Sequence, residues 1–177
     1  MKQFALLSAA MLLTAACATT SGPVASTSLQ ATSGSTVSGT VTLTEQKDGS
    51  VRVAVDLTGV PAGVHGFHIH DKGDCGDNGN AAGPHFNPMS DAHGAPQMMP
   101  HHAGDFGNVT ADASGRVKAT FTTRSVTVSS GNASAVGHAV ILHANPDDLT
   151  SQPAGNAGPR IGCGVLSLQT MAGPVQQ

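Results

Sequence analysis

From Val37 to Leu57 the chain alternates between apolar and polar residues with a period of two. Val37, Gly39, Val41 and Leu43 fall on one side, against Thr40, Thr42 and Thr44 on the other. Val51, Val53, Val55 and Leu57 repeat the pattern against Arg52 and Asp56. Successive side chains of a strand point to opposite faces, so this period commits both runs to strands with one buried face. Lys47-Asp48-Gly49-Ser50 separates them and predicts a β-hairpin. Further strands are expected over Val64–His70, Phe106–Ala111, Arg116–Thr122, Gly137–His143 and Gly164–Leu168, with a weaker one over Val126–Val128. Asp112-Ala113-Ser114-Gly115 is a second hairpin signal. No segment carries an apolar stripe at helical spacing.

A chain of 177 residues is long enough for one domain with a real core. Trp and Tyr are absent, so that core must be built from Val, Leu, Ile, Ala and a few Phe. The 22 glycines suit a loop-rich β protein better than a helical bundle. A net charge of −3 argues against nucleic acid as a partner, because neutralising phosphates needs a basic surface.

The first residues read as an export signal. Lys2 supplies the positive start, Phe4 to Leu13 the apolar stretch and Ala15-Ala16-Cys17-Ala18 a small-residue cleavage region. The apolar run is too short for a permanent membrane span. Cys17 after Leu13-Thr14-Ala15-Ala16 resembles a bacterial lipoprotein signal, in which the cysteine is lipidated and becomes the first residue. Thr14 stands where leucine is usual, and ordinary cleavage after Ala18 is the rival reading. The expected organisation is a signal peptide over 1–17, a flexible linker over 18–35, one domain over 36–172 and a tail over 173–177. The linker expectation rests on the Ser, Thr, Ala and Gly content of Thr19–Ser35.

Two long stretches, Asp71–Gly104 and Ala144–Ile161, carry little regular structure, and loops of this length in a compact domain are usually functional or disordered. Histidines cluster in and beside them. His68 and His70 lie two apart on an expected strand, so both project from one face and form half of a transition-metal site. By the same alternation His65, Phe67 and Ile69 point the other way, with His65 in a structural role. His85, His93, His102 and Asp105 offer three nitrogens and one oxygen, the donor set of closed tetrahedral zinc; the bland alternative is a histidine-rich surface loop. His143 ends the apolar run Ala139–Leu142, and with His68, His70 and His85 it completes four nitrogen ligands suited to Cu(II). His85 is available to both groups.

These residues sit in recognisable motifs: Gly66-Phe67-His68-Ile69-His70, Gly83-Pro84-His85-Phe86-Asn87-Pro88, His102-Ala103-Gly104-Asp105 and Gly155-Asn156-Ala157-Gly158-Pro159-Arg160-Ile161-Gly162-Cys163-Gly164-Val165. In this order they resemble the copper/zinc superoxide dismutases of the exported bacterial type, over Val37–Leu168. The resemblance implies an all-β fold, a flattened eight-stranded Greek-key β-barrel with long metal-binding and active-site loops. It implies copper on His68, His70, His85 and His143, and zinc on His85, His93, His102 and Asp105, with His85 as the bridge. It also implies a Cys75–Cys163 disulfide, Arg160 beside the copper, and Asp147 joining a copper ligand to a zinc ligand. The implied reaction is dismutation of superoxide to O2 and H2O2, with Arg160 and His85 as the working side chains. The implied setting is the periplasm of a Gram-negative bacterium, with a possible lipid anchor at Cys17 and a monomer or homodimer as the unit.

Two features depart from that pattern. The segment Ala144–Pro159 has no lysine to guide an anion and carries Asp147 and Asp148, which puts electrostatic steering in doubt; Lys72 is the nearest alternative source of charge. Met98, Met99, His101 and His102 together could capture Cu(I), although methionine more often serves as packing. A non-catalytic copper chaperone or metal buffer on the same scaffold, or a zinc-only structural domain, are the competing readings. The presence of His68, His70, His85, His143 and Arg160 together favours the enzyme.

Overall fold

The computed structural model describes residues 22–170. Nine strands run in chain order as β1 (Val24–Ala31), β2 (Ser38–Glu45), β3 (Val51–Thr58), β4 (Gly63–His70), β5 (Asp105–Ala111), β6 (Val117–Thr123), β7 (Ala139–His143), β8 (Arg160–Val165) and β9 (Ser167–Leu168). The one helical element among the described residues is a 3-10 segment, Asp77–Ala82. Every strand pairing is antiparallel, in the order β5-β4-β7-β8-β1-β2-β3-β6, with β9 added beside β1. The path begins and ends on strands consecutive in sequence, so the sheet curls into a nearly closed barrel. This is the expected eight-stranded all-β barrel.

The hairpin of β2 and β3 forms in full register, from Ser38 opposite Thr58 to Glu45 opposite Val51. Val41, Leu43, Val51, Val53, Val55 and Leu57 are all buried, as their alternation requires. The second expected hairpin is different. The turn at Asp112–Gly115 is present, with Gly115 N donating to Asp112 O at 2.9 Å. Yet β5 pairs with β4 and β6 with β3, leaving β5 and β6 as the two sides of the barrel seam. Val126–Val128 forms no strand; Thr127 makes an isolated bridge to Ser134. The last strand starts earlier than expected, at Arg160.

The flexible linker expected over 18–35 is corrected for its central part, since Val24–Ala31 is β1. Its side chains alternate, with Ala25, Thr27 and Leu29 turned inward. Val24–Leu29 pairs with β2, then Gln30 and Ala31 switch to β8, so this strand joins the two halves of the sheet. Ala, Ser and Thr hide the alternation in sequence because only Leu29 is a large apolar residue on the buried face. The signal peptide, Cys17 and the tail over 173–177 lie outside the described residues.

The core holds Phe67, Leu29, Leu43, Leu57, Ile69 and Leu142, all fully buried. Phe67 and Ile69 face this core from β4, which leaves His68 and His70 on the opposite side, under the loops. A smaller apolar cluster of Ala82, Ala139, Ile141 and Cys163, with Cys75 packed on it, lies beneath the loop that follows β4. Cys75 and Cys163 form a disulfide that spans 88 residues and ties this loop to β8.

Candidate metal centre

His68, His70, His93 and His143 each have one ring nitrogen engaged from outside the donor groups, which fixes the nitrogen it presents. His70 Nδ1 donates to Gly83 O at 2.8 Å, and His143 Nδ1 donates to Gly158 O at 3.0 Å. Carbonyl oxygens only accept, so both rings carry their proton on Nδ1 and turn a bare Nε2 inward. The two Nε2 atoms lie 3.3 Å apart. His68 is held the other way round: its Nε2 lies 2.8 Å from Asp147 Oδ2, and its Nδ1 is buried without a partner. His85 Nε2 is likewise buried and unpartnered. Four nitrogens, from His68, His70, His85 and His143, thus converge within 4.8 Å of one another.

The second group shares His85. Its Nδ1 lies 2.7 Å from Asp105 Oδ1, and the same oxygen lies 3.0 Å from His93 Nδ1 and 3.2 Å from His102 Nδ1. The His93 nitrogen approaches at an angle that makes no hydrogen bond and counts among the buried unpartnered atoms. Asp105 Oδ2 is occupied by the backbone N–H groups of Gly94 and His102. Three imidazole nitrogens therefore surround one carboxylate oxygen.

Burial and these contacts set the protonation states. Burial holds His68 down at about 4 and His143 at about 3, and it pushes His70 well below the usual imidazole range. All three are neutral, as metal ligation requires. Burial also works against a charged His93, but the negative carboxylates of Asp105 and Asp147 on either side of its ring prevail and raise it to about 9. Asp105 and Asp147 stay ionised, since contacts from His85 and His93, and from His68 and His93, outweigh the burial that would raise them.

A buried nitrogen without a partner costs about 1–3 kcal/mol. Three of them, His68 Nδ1, His85 Nε2 and His93 Nδ1, face the two groups. A cation supplies the missing partner in each case. The donor sets fit as well: four nitrogens suit Cu(II), and three nitrogens with one carboxylate suit Zn(II).

Asp147 links the groups from outside. One oxygen takes His68 Nε2, and the other lies 3.0 Å from His93 Nε2. Asn108 clamps Asp147 through two backbone hydrogen bonds, at 2.8 and 2.9 Å. Gly155 lies against this bridge with φ +63°, where a Cβ would collide with Asp147 Oδ1 and His93 Nε2. Arg160 borders a cavity of about 840 Å³ that also reaches His70, His85 and His143. Its Nη1 donates to Gly79 O and its Nη2 to Gly83 O, each at 2.6 Å. Sequence spacing gave no sign of Gly79, Asn108 or Gln152; Gln152 pins the His93 backbone at both its N–H and C=O. His65 is structural as expected, bonded to the carbonyls of Pro61 and His143. His101 belongs to neither donor group.

A nearly closed antiparallel barrel whose loops bring two four-residue donor groups together at one shared imidazole defines a β-barrel metalloprotein. The family model described as copper/zinc superoxide dismutase matches residues 37–166. The chain belongs to that family: it is a superoxide dismutase that uses copper and zinc. A solved structure described as the clock protein EA4 is similar, at 35% identity and a TM-score of 0.75 over 85% of this chain and 97% of that one. The family match begins after β1, which the structure nevertheless builds into the barrel.

Proposed function

We propose that His68, His70, His85 and His143 hold the copper, that His85, His93, His102 and Asp105 hold the zinc, and that Arg160 receives superoxide in the cavity above them. The observation that carries this division is His85, one ring with Nδ1 in one donor group and Nε2 in the other. Bound copper supplies a one-electron couple, and bound zinc supplies a fixed positive charge. Two superoxide ions and two protons give one O2 and one H2O2.

The protein's own residues do the rest. Arg160 is a permanent cation, and its two carbonyl contacts fix the guanidinium plane beside the cavity. A small anion entering there meets a directed charge and the remaining N–H donors. His85 Nε2 is buried beside the same cavity, and we assign it the proton delivered to product, which it would carry only while released from copper. Asp147 fixes the ring orientations of His68 and His93.

We further propose that the enzyme acts in the cell envelope of a Gram-negative bacterium, exported by residues 1–17 and anchored by lipid at Cys17. The apolar leader and its cysteine support this; mass measurement of the native N-terminus tests it, and a start at Thr19 would refute the anchor. The functional reading is tested by metal content and superoxide consumption on the same purified sample. One copper and one zinc per chain with rapid consumption is expected, and His143→Ala should lose copper while keeping zinc. Loss of both metals in that variant would overturn the division of the sites.

A further inference from the structure

The three methionines within the described residues, Met89, Met98 and Met99, all border one cavity of about 720 Å³, outside the metal centre. They are 75%, 69% and 76% exposed, so they bury little surface and the core does not explain them. Met98 and Met99 are consecutive, and the loop between β4 and β5 brings Met89, nine residues earlier, to the same cavity. His101 borders the same cavity and is buried. Its Nδ1 donates to His102 O at 2.7 Å, which leaves Nε2 as a bare lone pair. Its one hydrogen-bond contact is a long one, to Ser125 Oγ at 3.5 Å. Arg124, the cationic side chain on the rim, is turned to Asp48, to which it donates through both terminal nitrogens.

We propose that this cavity is a separate soft-metal site, in which the thioethers of Met89, Met98 and Met99 and the Nε2 of His101 take one Cu(I). Thioether sulfur is a soft, uncharged donor that favours Cu(I) over Zn(II), and one imidazole completes a set suited to it. His101 and His102 are consecutive, yet one lines this cavity and the other the metal centre. The site therefore lies on the outer face of the wall whose inner face carries His102.

The test uses the full protein with copper and zinc already bound and counted, and with its copper reduced before titration. Cu(I) is then added without oxygen against bicinchoninate as competing chelator, and the 13C signals of the methionine methyl groups are followed. One Cu(I) beyond the two bound ions, with all three methyl signals shifting together, is expected. The triple variant Met89→Leu/Met98→Leu/Met99→Leu should lose that extra ion and keep full activity; leucine matches methionine in volume, and these side chains carry no core packing. No extra Cu(I), an extra ion undiminished in the triple variant, binding without methyl shifts, or equal uptake of Zn(II) would each overturn the proposal.

Discussion

Asp147 Oδ2 lies 2.8 Å from His68 Nε2, across 79 residues of sequence. This contact commits His68 to presenting Nδ1, while His70 and His143 present Nε2. The other oxygen of Asp147 holds His93 in the neighbouring group.

Replacing Asp147 by Asn removes the charge that both rings lean on and keeps the shape. Partners of this kind are worth about 10–100-fold in metal affinity. Asp147→Asn should weaken zinc binding by that order, read by competition with a chromogenic chelator. Unchanged affinity would assign Asp147 to loop folding alone.

Arg160→Ala should keep both metals and lose about 10-fold or more in rate at substrate below saturation, the low end of what a directed charge contributes to anion capture. Raising ionic strength should slow the parent protein more than the variant. Arg160→Lys restores the charge but not both carbonyl contacts, and should recover part of the rate. Equal rates in the parent and the Ala variant would remove Arg160 from the reaction.

The metal-free protein should be most stable near pH 6.5. Buried His68 and His143 titrate at about 4 and 3 in the folded chain, below their ordinary 6.5. The unfolded chain therefore binds more protons as pH falls below 6.5, and stability declines toward pH 4. His93 has the opposite sign. Its folded value of about 9 adds stability that is complete below 6.5 and is lost as pH rises through 9. Urea denaturation of the metal-free protein from pH 4 to 9 reads both limbs. A curve rising steadily to pH 9 would contradict the His93 assignment.

The Cys75–Cys163 disulfide closes an 88-residue span and fastens the loop whose Gly79 and Gly83 carbonyls hold Arg160. Cys75→Ser should cost about 4.6 kcal/mol of stability on the chain-entropy account. Activity should fall further than metal content, because Arg160 loses its anchors before the metal groups lose their ligands. Denaturation and rate measured on the same metal-loaded variant separate the two effects.

The strands that combine large apolar residues with strict alternation, β2 and β3, are legible directly in the sequence. β1 is not, because Ala25 and Thr27 lie on its buried face and give little hydrophobic contrast. The early start of β8 is hidden by Gly162 and Gly164, which bury backbone instead of side chains. The hairpin signal at Asp112–Gly115 correctly marks a turn, but turn chemistry is local and does not reveal that its two arms pair elsewhere. Among the donors, strand alternation puts His68 and His70 on one face. The gathering of His85, His93, His102 and Asp105 depends on loop closure, which spacing suggests without determining. The carbonyls that orient Arg160 and His70 carry no sequence signature, since every residue has one.

The central claim is that the ring of His85 stands between two different cations. Anomalous diffraction from the metal-loaded protein, recorded at the copper and zinc edges, tests it directly. The account predicts copper beside His85 Nε2 and zinc beside His85 Nδ1, on opposite sides of one ring. Two ions with no ring in common, or the same metal at both positions in fully active protein, would contradict it.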